Sequence, residues 1–258
     1  MNDVTKINEN IFRLTMPYKD IFTTVYVIKT DGGVLLFDVG SYAEDIKNYI
    51  LPLLCELEIT LDMLKYVFIS HNHLDHSGGL GELMKKFPKT CIISRSPKIK
   101  EGYINYGVLS PEDGDIVMDV LKVITVPGHT EDSAAVYDTR TKTLITGDCL
   151  QLYGIYGSGK WGSNISLTAE HTEAIVKLRQ MDIDRILTAH DYHPYGYNYE
   201  GEIVDKALDA CIAPLKEIEA LILCNPDADD KKICDIYNCS DKPVIGEHVV
   251  SGVRGTIN

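Results

Sequence analysis

Long apolar runs are missing from this 258-residue chain. No stretch reaches the roughly eighteen residues that a membrane-spanning helix needs, so no span is expected. The opening Met1-Asn-Asp-Val-Thr-Lys-Ile-Asn lacks the apolar segment of a secretory leader. Basic residues are scarce: 25 Lys and Arg against 38 Asp and Glu give a formal charge of −13. An acidic surface repels phosphate backbones, so nucleic acid is not expected as a partner. Seven cysteines is an odd number in a chain too long to need disulfide stapling, which fits a reducing cytoplasm. Neither an internal repeat at fixed spacing nor a low-complexity segment is present.

What the chain does have is apolar content, 45% of residues, enough for a sizeable core. Its length fits one large domain with a small appendage. The boundaries expected are 1–224 for the domain and 225–258 for a tail of weak periodicity, packing on the domain or on a partner subunit. Segments 4–16 and 21–29 read as two antiparallel strands, and Asp31-Gly-Gly33 as a turn into a strand over 34–38. Ile46, Ile50, Leu53, Leu54 and Leu57 predict a helix over 42–57. Strands are expected at 66–70, 90–94, 115–118, 121–126, 133–138, 143–147 and 185–189. Helices are expected near 79–86, 97–106, 168–181 (with Thr168 as N-cap) and 200–223, where Pro214 interrupts the pattern.

The chemistry gathers in Ile69-Ser-His-Asn-His-Leu-Asp-His-Ser-Gly-Gly79. His71, His73, Asp75 and His76 sit on a loop at the end of an apolar strand, where α/β proteins tend to place their chemistry. Side chains two apart in extended chain point the same way, so His71 and His73 reach one point. Asp75 and His76, past the turn, reach a second. Imidazole with carboxylate suits a borderline divalent metal such as zinc, with iron or manganese as alternatives. Further candidates follow β-branched runs: His129 after Val123-Ile-Thr-Val-Pro-Gly, Asp148 after Thr143-Leu-Ile-Thr-Gly, and His190 after Arg185-Ile-Leu-Thr-Ala. Upstream, Val34-Leu-Leu-Phe-Asp-Val-Gly40 supplies Asp38.

The pattern H-x-H-x-D-H with these later blocks in order resembles the metallo-β-lactamase superfamily. The resemblance implies an α+β fold, a four-layer αββα sandwich with metals at one edge of two sheets. It implies that His71, His73 and His129 hold one metal, that Asp75, His76 and His190 hold a second, and that Asp148 bridges them. Seven ligands are too many for one tetrahedral zinc, which takes four. Two divalent ions sharing a carboxylate leave room for a bridging hydroxide nucleophile. Asp75 is expected to orient that hydroxide and Asp38 to hydrogen-bond a ligand histidine, fixing its tautomer.

Loops choose the substrate. Tyr153, Tyr156, Lys160 and Trp161 follow Asp148, while Tyr192, His193 and Tyr195 follow His190. These residues are expected to line a pocket for a small molecule with an apolar or aromatic acyl part. The alternative is that the aromatics pack loop against domain or form a homodimer contact. Gly157-Ser-Gly-Lys-Trp161 loosely resembles the glyoxalase II loop, and lactonases of the superfamily share the ligand set. The expected activity is therefore hydrolysis of a carboxylic ester, thioester or lactone in the cytoplasm, without membrane or nucleic acid. Competing readings are a phosphodiesterase or nuclease of the same superfamily, and a persulfide dioxygenase with one iron on His71, His129 and Asp148. A metal-binding module without catalysis completes the alternatives. A flavodiiron oxygen reductase needs a carboxylate where His73 stands. Of the remaining residues, Cys149 reads as a small buried residue and His171, early in a polar helix, as solvated. His248 has no assigned role.

Overall fold

The computed structural model describes residues 3–155, 161–239 and 243–257. Its strands are β1 (Asp3–Lys6), β2 (Ile11–Tyr18), β3 (Ile21–Thr30), β4 (Gly33–Phe37), β5 (Leu64–Ile69), β6 (Cys91–Ser94) and β7 (Val108–Leu109), then β8 (Ile116–Val117), β9 (Leu121–Thr125), β10 (Ala134–Asp138), β11 (Thr143–Ile145), β12 (Arg185–Tyr192) and β13 (Gly196–Glu200). They make two mixed sheets, seven strands in the order β1-β2-β3-β4-β5-β6-β7 and six in the order β13-β12-β11-β10-β9-β8. With the helices this is the expected α+β class. The chain divides into two compact units, Met1–Ile124 with Val136–Thr139, and Thr125–Ala135 with Arg140–Asn258.

In the first unit, β1 to β4 are antiparallel neighbours, and β5, β6 and β7 add in parallel. The expected strand over 4–16 is two strands. Between them the Asn8 Oδ1 accepts from the backbone N–H of Asn10 and of Ile11, both at 2.8 Å. That local turn outcompetes the ladder, a known habit of asparagine. The expected helix over 42–57 is likewise broken, into α1 (Ala43–Asp45), a π-helical segment (Ile46–Ile50) and α2 (Leu51–Glu56). Pro52, which cannot donate a backbone hydrogen bond, stands at the start of α2 just after the π segment. Short helices α3 (Leu74–Ser77), α4 (Leu80–Lys86) and α5 (Pro97–Gly102) follow the parallel strands. Leu36, Val67 and Ile92 from the sheet share one core with Ile46, Leu53 and Leu80 from the helices. Burying each such side chain stabilises the fold by about 1.5–3 kcal/mol.

In the second unit, β11 runs parallel to β12, and β12 pairs antiparallel with β13, a strand the sequence pattern does not mark. Helix α6 (Thr168–Arg179) has Leu167, not Thr168, at its N-cap, without a side-chain cap bond. Helix α7 (Glu202–Cys224) buries Val204, Leu208, Cys211, Leu215, Ile218 and Ile222 at helical spacing, and Pro214 lies inside it. The segment beyond 224, of weak periodicity in the sequence, is helical: α8 (Asp230–Asn238) and α9 (Glu247–Ile257). Asp229 caps α8 by accepting from the Lys232 N–H at 2.8 Å. Ile233, Tyr237, Val249 and Val250 pack with Ile218 and Ile222 of α7 in one apolar cluster. No described helix is long and apolar enough to cross a membrane.

Candidate metal centre

In the first unit, the ligand-type residues hang from the end of β5. The strand's parallel pairing with β4 places Asp38, which follows β4, beside Ser70, which follows β5. Asp38 is fully buried and its backbone is left-handed, with φ 62°. Its Oδ1 accepts from the Ser70 N–H at 2.8 Å, and its Oδ2 from the Ser70 hydroxyl at 2.9 Å. The same Oδ2 lies 2.8 Å from His76 Nδ1. Burial pushes the Asp38 carboxyl up from the usual carboxylate range, against the pull of His76 and Ser70. Because the Ser70 hydroxyl hydrogen goes to Asp38, its oxygen accepts from His71 Nδ1 at 3.0 Å. Both buried histidines thus carry their hydrogen on Nδ1 and offer the lone pair of Nε2, the arrangement of a metal-binding imidazole.

The remaining ligand-type atoms of this unit converge. His71 Nε2 lies 3.0 Å from His73 Nδ1, and His76 Nε2 lies 3.3 Å from Asp75 Oδ2. The nearest ligand atoms of His71 and His76 also lie within 4.8 Å of one another. Metal–nitrogen bonds of about 2.0–2.1 Å put neighbouring ligand nitrogens about 3.3 Å apart, close to these spacings. Gly78 and Gly79 make the approach of this loop possible. An added Cβ would lie 2.0 Å from the Ser41 carbonyl oxygen at Gly78, and 2.3 Å from that of Val39 at Gly79. The His76 carbonyl in turn accepts from the Val39 N–H at 2.9 Å.

In the second unit, the register of β11 and β12 pairs Ile145 with Leu187, so Asp148 and His190 emerge from adjacent strands. His190 Nε2 lies 3.2 Å from Asp148 Oδ1, and His129 Nε2 lies 3.7 Å from Asp148 Oδ2. His129 Nδ1 donates to the Asn164 carbonyl at 2.6 Å, so His129 also presents Nε2. The donor chemistry therefore fits divalent metal: imidazoles, with tautomers fixed at His71, His76 and His129, beside carboxylates.

The substrate-binding candidates are placed unevenly. Tyr156 and Lys160 lie outside the described residues. Tyr192 is not a pocket wall: it is fully buried, receives a bond from Gln151 Nε2 at 3.3 Å and hydrogen-bonds Asp148. Burial and the neighbouring Asp148 hold its hydroxyl well above the usual phenol range. Tyr153 donates to Glu217 of α7 at 3.2 Å, and burial with Glu217 pushes it up to about 12. Its ring centroid lies 6.1 Å from that of His193, and that of Tyr195 lies 6.4 Å from that of Tyr199. Trp161, His193 and Tyr195 are partly exposed.

His171 is buried rather than solvated. Its Nε2 donates to the Cys211 carbonyl at 3.1 Å, and burial brings its pKa down to about 4. Cys149 is buried as expected, with its Sγ 2.6 Å from the Thr146 carbonyl oxygen. Residues not singled out in the sequence also shape the centre: Ser70, Gln151 and Asn164. Gln151 donates to the Asp148 carbonyl at 2.9 Å and accepts from the Asn164 N–H at 2.8 Å. No sequence signal marks a residue that works through its backbone carbonyl, as Asn164 does.

Residues 18–190 match the family model described as Metallo-beta-lactamase superfamily. A protein named hydroxyacylglutathione hydrolase from Idiomarina loihiensis is 29% identical over 179 residues, covering 68% of this chain and 64% of the relative. One named atrochrysone carboxyl ACP thioesterase from Emericella nidulans is 25% identical over 148 residues, covering 57% and 46%. The chain thus spans less than two-thirds of the length of these relatives. Among solved structures, a mutant of the flavo di-iron protein from Thermotoga maritima aligns with a TM-score of 0.66 at 16% identity, over 83% of this chain and 61% of that one. At that identity the likeness is one of fold alone. The family match takes in more than half of the chain and every ligand-type residue from Asp38 to His190, and on that basis the chain belongs to the metallo-beta-lactamase superfamily.

Proposed function

We propose that the chain is a metal-dependent hydrolase of a carboxylic ester, thioester or lactone, with a thioester of an apolar or aromatic acid as the leading candidate. The observation that carries the reading is Asp148, whose two oxygens each face a different imidazole, at 3.2 and 3.7 Å. A carboxylate so placed suits two cations at once. In this reading His71, His73 and His129 hold one divalent ion, Asp75, His76 and His190 hold the other, and Asp148 serves both. Zinc suits the imidazole-rich set and iron shares that preference, while manganese would be drawn by the carboxylates. When bound, such a pair supplies a nucleophile from water at neutral pH and positive charge for the developing oxyanion and the leaving group.

The chain's own residues do the rest. Asp38 and the Asn164 carbonyl hold His76 and His129 in the ligating tautomer. In this reading Asp75, 3.3 Å from His76 Nε2, would also orient the attacking water. Trp161, His193 and Tyr195 offer partly exposed flat surface for an acyl group. The names of the two curated relatives, a hydroxyacylglutathione hydrolase and an ACP thioesterase, support a thioester here. The formal charge of −13 disfavours phosphodiesters of nucleic acid.

The test is elemental analysis of the purified chain, then turnover of a panel of chromogenic esters, thioesters, lactones and bis-p-nitrophenyl phosphate. The expected result is about two metal ions per chain and turnover of the acyl substrates. Preference for the phosphate diester would overturn the bond assignment. A single iron per chain would favour the persulfide dioxygenase reading.

A further inference from the structure

The segment 162–167 lies against the turn that carries His129. The N–H groups of Ser166 and Leu167 donate to the Gly128 carbonyl at 2.8 and 2.9 Å, and the Asn164 carbonyl holds His129 Nδ1 at 2.6 Å. The other side of this segment is held by the C-terminal tail. Gly162 N–H donates to the Val244 carbonyl at 2.8 Å, and a Cβ on Gly162 would lie 2.3 Å from that oxygen. Ile165 is buried in the same apolar cluster as Val249 and Val250 of α9. His248, two residues into α9, reaches Asn164: its Nε2 lies 2.9 Å from Asn164 Oδ1. The tail itself is tied down at Ile245, whose N–H donates to Asn238 Oδ1 at 3.0 Å and whose carbonyl accepts from Asn238 Nδ2 at 3.1 Å.

Asn164 is therefore pinned from three directions. Its N–H is held by Gln151 Oε1 at 2.8 Å, its side-chain oxygen by His248, and its carbonyl faces His129. A backbone carbonyl can orient a ligand imidazole only if its own peptide plane is fixed. We propose that His248 is a positioning residue for the metal centre: acting through Asn164, it fixes the carbonyl that sets the tautomer and orientation of His129. The C-terminal tail is then part of the metal-binding apparatus. This inference rests on the metal-centre reading of the preceding subsection, but not on which bond the enzyme cuts.

Both side chains are exposed, so their replacement leaves the buried core intact. The test uses the full chain, with zinc affinity read by chelator competition and the site's geometry read from the visible spectrum of bound cobalt(II). His248→Ala and Asn164→Ala each weaken zinc binding by about three- to tenfold. That is less than the 10- to 100-fold typical of losing a ligand's direct partner, because the Asn164 carbonyl itself survives. Each also shifts the cobalt spectrum, while the unfolding midpoint of the metal-free chain stays that of the wild type. The double variant is no weaker than either single one, since both break the same path. His248→Gln, which restores a donor near the position of Nε2, recovers affinity and spectrum. Wild-type affinity and spectrum in His248→Ala, or additive losses in the double variant, would overturn the positioning role alone. A wild-type chain that takes up neither metal would overturn the metal-centre reading itself.

Discussion

Asp38 and His76, both sealed from solvent, meet through Oδ2 and Nδ1 at 2.8 Å. That contact decides which nitrogen His76 presents, and the same carboxylate governs His71 through the Ser70 hydroxyl. Asp38→Asn keeps the shape and removes the charge. The expected outcome is a 10- to 100-fold loss of metal affinity, with about 1–3 kcal/mol lost from stability for mismatched buried donors. Chelator competition and urea unfolding measure the two effects separately. An unchanged affinity would show that the carboxylate does not govern the ligand tautomers.

His171 makes stability depend on pH. The imidazole titrates near 6.5 when unfolded and at about 4 in the fold, because burial disfavours its charged form. Between those values the unfolded chain binds more protons, so acid favours unfolding. The contribution is intact above pH 6.5 and is lost as pH falls toward 4, by about 3 kcal/mol in all. His171→Gln keeps a donor for the Cys211 carbonyl and removes the titration. Unfolding midpoints measured across this window should slope less in the variant than in the wild type; equal slopes would rule the account out.

His73 is exposed, unlike His71 and His129. His73→Ala should therefore lose metal and activity together, while the stability of the metal-free chain changes by less than about 0.5 kcal/mol. Metal content and turnover, set beside the unfolding curve of the metal-free protein, check this. A fully active variant would remove His73 from the ligand set.

Gly79 carries no functional group, yet its replacement should be costly. A methyl group there would sit 2.3 Å from the Val39 carbonyl oxygen. Gly79→Ala should destabilise the chain by about 1–3 kcal/mol and disturb the loop that bears His76. A thermal midpoint equal to the wild type would contradict this.

The metal-ligand candidates were legible in the sequence because each sits just past an apolar or β-branched run, and a strand end fixes where such a residue emerges. Asp148, shortly past Thr143-Leu-Ile, is the plainest case, whereas His190 lies within its strand, which runs on to Tyr192. The break between β1 and β2 was not legible, since it depends on which amides the Asn8 side chain captures. The burial of His171 was legible but overlooked: it lies three, four and seven residues before Ala174, Ile175 and Leu178, on the face that α6 buries. In the tail the helical signal was present and overlooked: Ile233 and Tyr237 stand four apart behind the cap Asp229, and Val249, Val250 and Val253 keep helical spacing. Tyr192 showed the limit of reading loops by composition, because it spends its hydroxyl on Asp148 inside the protein.

The pairing of Ile145 with Leu187 carries a consequence for how this chain can change over time. One residue inserted into β11 would slide Asp148 by about 3.3 Å and turn it to the opposite face, away from His190. An insertion in the turn between β12 and β13 leaves the pairing of Ile145 with Leu187 itself unshifted. The spacing of these short strands is thus the part of the sequence least free to change in length.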